Sequence, residues 1–281
     1  MRAVVTGAGG LLAAAVIRAF SPSHDVVALE RRDLDVTDPA AVDDTIARVR
    51  PDVVINCAAY NDVDGAQDDA VRVLRNNALA VRFLVRAAGC AGAVLVHYGS
   101  DFVFDGRAGR PYREDDEPNP AGNYAAAKLL GDYFALAHPR AYVLRVESLF
   151  GEPGQGGTRQ GSLGLIVKRI HGGEAVPVFV DRTVSPSYTT DVAAATLQLV
   201  TSQAPYGLYH CVNSGAATWA DIAAEAARVL NLPVQLTPIT LESVALKAPR
   251  PKYCALSNAK LAALGIVMPS WQDALRRYLT A

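Results

Sequence analysis

The runs Arg2–Thr6, Asp25–Leu29, Asp52–Asn56, Ala93–Tyr98 and Ala141–Val146 share one property: they are apolar at successive positions rather than at alternate ones. A strand with one wet face alternates, so continuous apolarity predicts strands covered on both sides. Helical stretches separate them. One is Leu11–Phe20. A second starts at Thr37-Asp38-Pro39, a capping residue ahead of proline in the first turn, and runs to about Val49. A third spans Val71 to Ala88 with a break near Asn76. Repeated strand–helix units of this kind predict an α/β fold, a doubly wound parallel sheet with helices on both faces.

The segment Thr6-Gly7-Ala8-Gly9-Gly10-Leu11-Leu12-Ala13 joins the first strand to the first helix. Glycines permit a sharp turn and let the backbone approach a pyrophosphate, which the N–H groups of the helix start then face. Ala13 stands where only a small residue allows close helix-to-sheet packing. The position of the turn, between strand and helix at residue 7, marks Gly7 and Gly10 as dinucleotide contacts and the sheet as Rossmann-type. Glu30 ends the second strand, where a carboxylate accepts hydrogen bonds from an adenosine ribose and favours NAD; Arg31 and Arg32 follow and suit a 2′-phosphate, favouring NADP. Both cofactors stay open. Small residues after the third strand, Asn56-Cys57-Ala58-Ala59-Tyr60, let a cofactor lie against the chain, and equally suit plain packing.

Tyr124 and Lys128 stand four apart, on one face of a helix. A nearby ammonium favours the phenolate, so the spacing predicts a Tyr124 pKa lowered toward neutrality and a general acid or base. Ser100 ends the fourth strand, at the carboxyl edge of the expected sheet, where its hydroxyl meets a substrate carbonyl. Ser100, Tyr124 and Lys128 are therefore the expected catalytic set.

After Gly151 the texture changes. Gly154–Gly161 reads as a flexible loop, followed by a helix (Ser162–His171), a strand (Val176–Val180), a helix from Thr190, a strand (Leu208–Val212), a helix (Trp219–Leu230) and two terminal helical pieces. The expected division is a dinucleotide-binding domain over 1–150 and a smaller substrate-binding lobe over 151–281, interleaved with the first. A net charge of −1 gives no electrostatic reason for nucleic acid or a membrane surface as partner. No secretory signal or apolar span is visible, so a cytoplasmic protein is expected. The four cysteines, Cys57, Cys90, Cys211 and Cys254, form no C-x-x-C pair and read as reduced thiols. The five histidines fall in no catalytic or metal pattern.

Several longer segments resemble the extended short-chain dehydrogenases/reductases and, more narrowly, the dTDP-4-dehydrorhamnose reductase family. They are Thr6–Gly10, Leu34–Asp38, Asn56–Asp64, Asn77-Ala78, Ser100-Asp-Phe-Val-Phe-Asp-Gly106, Gly109–Asp115, Pro118–Pro120, Tyr124–Lys128, Leu144-Arg145, Asp181–Pro186, Gly207–His210 and Arg250–Ser257. The resemblance covers nearly the whole chain. It implies that Gly10, Leu11 and Leu12 touch a cofactor diphosphate, and that Glu30, Asp35, Val36, Ala58, Ala59, Tyr60 and Asn61 line the dinucleotide path. It implies that Ser100, Asp101, Val103, Phe104, Tyr124 and Ser148 meet a dTDP-linked keto sugar, and that NADP or NAD supplies hydride to its C4 keto carbon. A homodimer is compatible with it. Two positions depart from the family. Ser100 stands where Thr is usual, and Arg145-Val146-Glu147-Ser148 replaces Arg-Thr-Ser-Trp, so Ser148 occupies the place of a tryptophan and Glu147 adds a carboxylate. Some family members hold a metal between subunits; no acidic cluster in the sequence matches it, and no metal is expected. The rival readings are a nucleotide-sugar epimerase or dehydratase, and a non-catalytic dinucleotide-binding subunit like the β subunit of methionine adenosyltransferase. The intact Ser100–Tyr124–Lys128 set argues against the last, and Phe102 after Asp101 against a dehydratase.

Overall fold

The computed structural model describes residues 1–154 and 161–281. Six parallel strands form the central sheet: β1 (Arg2–Thr6), β2 (Asp25–Leu29), β3 (Val53–Asn56), β4 (Val94–Ser100), β5 (Ala141–Val146) and β6 (Gly207–His210). Their order is β6-β5-β4-β3-β1-β2. The chain runs outward from β1 to β2 and then restarts at β3 on the other side of β1. That reversal opens a crevice beyond the carboxyl ends of β1 and β3, the switch point of a doubly wound sheet.

The apolar runs are explained residue by residue. In β1, Ala3 and Val5 enter one core while Val4 enters the other. Val53 and Ile55 against Val54 in β3, and Val96 and Tyr98 against Leu95 in β4, divide the same way. One core is covered by α1 (Leu11–Phe20) and, beyond residue 150, by the helix Thr189–Thr201. The other is covered by α2 (Pro39–Val49) and α3 (Ala80–Ala91), with α4 (Asn123–Leu136) packed beside α3. Asp38 caps α2 as its motif predicts, accepting from Ala40 N at 3.0 Å and Ala41 N at 3.2 Å. The break expected near Asn76 is a π-helical turn, Arg75–Leu79, between the helix Ala70–Leu74 and α3.

A further core lies wholly beyond residue 149. It joins Phe150, the helix Gly161–His171, the helix Trp219–Leu230 and the parallel pair Val176–Phe179 with Leu236–Ile239. The loop expected over Gly154–Gly161 falls mostly on residues 155–160, outside the described residues.

Candidate active site

Gly7 turns the chain out of β1 with φ +66°, a left-handed conformation that favours glycine, and a Cβ there would stand 2.8 Å from the Ala58 backbone. Gly10 N donates to Gly7 O at 2.9 Å and closes the turn. Gly10 then caps α1 without a side-chain acceptor, so the first N–H groups of the helix face the crevice unclaimed by a cap. Across from it, Thr6 Oγ1 donates to Asn56 Oδ1 at 2.8 Å, and Asn56 Oδ1 also accepts from Ala58 N at 3.2 Å. Asn77 clamps the Tyr60 main chain on both sides, accepting from its N at 2.8 Å and donating to its O at 2.9 Å. These bonds hold the β3 loop close to the glycine turn.

The crevice deepens into a cavity of about 650 Å³. It collects Gly10, Leu11, Leu12, Ala58, Ala59 and Asn61 on one side and Ser100, Asp101, Tyr124, Lys128 and Ser148 on the other. Asn56 and Cys57, from the segment expected to let a cofactor lie against the chain, and Glu147 also line it, as do Pro153, Ser162 and Leu165, which the sequence does not single out. The helix Gly161–His171, which carries Ser162 and Leu165, reaches the cavity from beyond residue 150.

Other expected contacts lie elsewhere. Gly7 shapes the turn from beneath. Glu30 and Asp35 are away from the cavity, with Arg32 Nε 3.4 Å from Glu30 Oε2 and Arg31 Nη2 3.5 Å from Asp35 Oδ2. Asp35 also folds back on its own turn, accepting from Thr37 N and Oγ1, and these bonds lower its pKa. Val36 is buried in the α2–α3 core. The Tyr60 ring lies under the Arg72 guanidinium, outside the cavity wall. Val103 and Phe104 are fully buried in a separate cluster, Phe104 stacked on Tyr112 at 4.1 Å, so neither offers surface to a ligand in the cavity.

Ser100, Tyr124 and Lys128 come together as the sequence predicts, all three buried in one wall. Ser100 Oγ donates to Asp101 Oδ1 at 3.0 Å and accepts from Phe102 N at 3.2 Å. Lys128 Nζ donates to Tyr98 O. Behind it, Asp132 accepts from Arg145 Nε at 2.9 Å. Burial lowers the Lys128 pKa, while Asp132 and Cys57 oppose that. The expected lowering of the Tyr124 pKa is overturned. Burial, and then the charge of Asp101, push the phenol above its ordinary value, with a Ser100 hydrogen bond acting the other way. Lys128 spends its ammonium on the Tyr98 carbonyl. Tyr124 is accordingly held protonated, the form a general acid needs.

A second feature was not legible beforehand. One oxygen each of Asp101 and Glu147 and the Cys254 sulfur lie within 4.8 Å of one another, all buried. Arg182 Nη2 stands among them, 3.9 Å from Asp101 Oδ2 and 3.8 Å from Cys254 Sγ. Burial raises the Asp101 pKa to about 6 against the pull of Arg182, and burial with the Asp101 charge raises Glu147 well above the carboxylate range.

A doubly wound sheet with an uncapped glycine turn at its switch point, facing a buried Ser–Tyr–Lys wall, defines an oxidoreductase of the short-chain dehydrogenase/reductase class. The comparisons narrow this. The chain belongs to the RmlD substrate binding domain family, whose model matches residues 1–281. It is 36% identical to a probable dTDP-4,6-dihydroxy-2-methyloxan-3-one 4-ketoreductase of Streptomyces antibioticus, over 98% of this chain and 94% of that one. It is 35% identical to the dTDP-4-dehydrorhamnose reductase of Mycobacterium tuberculosis, over 100% of this chain and 93% of the relative. The crystal structure of the Bacillus anthracis dTDP-4-dehydrorhamnose reductase in complex with NADP superposes with a TM-score of 0.94 at 29% identity, covering 99% of this chain and 98% of that one.

Proposed function

We propose that the protein reduces the C4 keto group of a dTDP-linked 4-keto-6-deoxyhexose with NADPH or NADH. The observation that carries this reading is the juxtaposition of the buried Ser100–Tyr124–Lys128 wall with the glycine turn across one cavity. The cradle fits a dinucleotide: Gly7 leaves no room for a side chain, and the open start of α1 offers N–H donors to a diphosphate. Arg31 and Arg32 are exposed and only loosely paired, so a 2′-phosphate can recruit them. The nicotinamide, when bound, supplies hydride.

The chain's own residues do the rest. Ser100 orients the ketone, Tyr124 delivers its phenolic proton to the oxygen as negative charge develops there, and Lys128, one turn further along α4, keeps a positive charge near the phenol. Ser148, in the place of a tryptophan, puts a small hydroxyl where the family has aromatic bulk beside the sugar. Residues 1–150 carry the dinucleotide contacts together with Ser100, Asp101, Tyr124 and Ser148 on the sugar side, and residues 151–281 add Pro153, Ser162 and Leu165 to the cavity wall. A homodimer is supported by exposed Val71, Leu74 and Leu79 beside Tyr133 and Leu136 on neighbouring helices. Among the described residues no helix is long and apolar enough to cross a membrane; we place the enzyme in the cytoplasm, where nucleotide sugars are made.

The deciding experiment follows NADPH absorbance with freshly generated dTDP-4-keto-6-deoxyglucose and a panel of related dTDP-keto sugars. Consumption with a hydroxyl product at C4 is expected. No oxidation with any keto sugar, alongside tight NADPH binding, would instead establish a binding module.

A further inference from the structure

The register of the sheet pairs Ser100 with Val146, so the next residue on each strand, Asp101 and Glu147, emerges side by side. Each carboxyl is anchored by one oxygen. Asp101 Oδ1 accepts from Ser100 Oγ at 3.0 Å, and Glu147 Oε2 accepts from Ser185 N at 2.7 Å. The other two oxygens, Asp101 Oδ2 and Glu147 Oε1, are buried and have no hydrogen-bond partner among the described residues. Among the described residues Arg182 is the one cation beside the pair, and Tyr124, Tyr253 and Cys254 are the other titratable groups that face it. Two carboxylates against one guanidinium leave a buried negative charge uncompensated, which proteins avoid by neutralising a group. A proton on one carboxyl removes the excess charge and turns an orphaned acceptor into a donor for the other.

We propose that Asp101 and Glu147 hold a single proton between them, carried mainly by Glu147, and that Glu147 acts through Asp101 as a positioning residue for Ser100 and Tyr124. This rests on the ketoreductase reading given above. The geometry orders the two groups: Arg182 Nη2 stands 3.9 Å from Asp101 Oδ2 and favours an ionised Asp101, whereas no ion pair reaches Glu147 among the described residues; burial raises both carboxyls. Two consequences follow for the reaction. A hydroxyl has one hydrogen, and in the structure Ser100 gives it to Asp101 rather than to the cavity. A Glu147 O–H directed at Asp101 draws charge away from that contact and frees the Ser100 hydrogen for the ketone. Reduction also builds negative charge on the substrate oxygen beside Tyr124. Neutral Glu147 leaves Asp101 and Arg182 balanced there, whereas an ionised Glu147 opposes the developing charge. Activity that needs the proton is lost as pH rises through the raised value of the pair.

The test compares Glu147→Gln with Glu147→Ala. Glutamine keeps a neutral group with an N–H donor and a carbonyl acceptor. Its kcat near neutrality should stay within about 3-fold of wild type, and the alkaline fall of kcat should move up by about one pH unit or more. Alanine should lower kcat by about 10- to 100-fold with little change in KM for the keto sugar. Infrared difference spectra of wild type against Glu147→Gln near pH 7 should show a protonated-carboxyl C=O stretch that the variant lacks. Absence of that band, or glutamine as damaging as alanine, overturns the proposal. The spectra need neither substrate nor the alanine variant. They therefore judge proton sharing even where Glu147→Ala fails to fold, or where wild type turns over no keto sugar and the ketoreductase reading itself fails.

Discussion

Tyr124 is the residue on which the chemistry turns, and its surroundings favour one direction of transfer. Burial and the Asp101 charge raise its pKa, so the phenol stays protonated across the neutral range and is ready to donate rather than accept. A raised phenol is a weaker acid in water, but its proton passes to an alkoxide, a far stronger base. The acid contribution is complete at neutral pH and falls away only as pH climbs past the ordinary phenol value of 10.0. Tyr124→Phe should reduce kcat by about 10³-fold while leaving the NADPH dissociation constant within about 3-fold, because ring and packing remain. Steady-state rates and a fluorescence titration with NADPH check both halves. Undiminished turnover would remove Tyr124 from the role of acid.

At the scale of elements, the glycine turn is the part whose geometry the sequence dictates most tightly. Gly7 combines φ +66° with a Cβ position 2.8 Å from the Ala58 Cα and N. Gly7→Ala should cost about 1–3 kcal/mol of stability, seen as a lower midpoint in denaturant. It should also weaken NADPH binding at least about 10-fold, since the turn aims the α1 N–H groups. An alanine variant with unchanged stability and affinity would show that the turn is not the cradle. The same logic separates what was readable from what was not. Gly7, the doubly covered strands and the Asp38-Pro39 helix start each follow from local sterics or local periodicity, so the chain announces them. Tyr124 and Lys128 share a helix face by spacing alone. Val103 and Phe104 show the limit: they adjoin Ser100 in sequence, yet the 3-10 turn Asp101–Val103 carries them into another core. Glu147 shows the converse. Its partner is fixed by the lateral register of β4 with β5, and Arg182 and Cys254 arrive from remote segments, information that no local pattern holds. The Tyr124 shift was misread for a related reason. Spacing reveals a lysine one turn away, but not that its ammonium is bonded to the Tyr98 carbonyl or that burial and Asp101 govern the phenol.

At the scale of the molecule, the two halves of the chain are mutually dependent. β6 and the helix Thr189–Thr201 both come from beyond residue 150, yet they cover elements before it. Val192, Ala193, Leu199 and Tyr209 share one core with Ala3, Val5, Leu12, Phe20, Tyr142 and Leu144. Tyr142 Oη donates to Ala204 O, tying β5 to the chain that leads into β6. A fragment of residues 1–150 would keep the glycine turn, Ser100, Tyr124 and Lys128 but expose the outer face of α1 and one edge of β5. Burying that surface is worth about 25 cal/mol per Å² of apolar area, and side chains such as Phe20, Tyr142 and Leu144, all almost completely buried, would lose their cover. The fragment should therefore populate a collapsed state with helical far-ultraviolet circular dichroism, weak near-ultraviolet signal and strong binding of a hydrophobic dye. It should show no NADPH affinity, although every expected cofactor contact lies within it. A fragment that unfolds cooperatively and binds NADPH would prove that the first half owns its core, and that the second half is an appended lid rather than a structural partner.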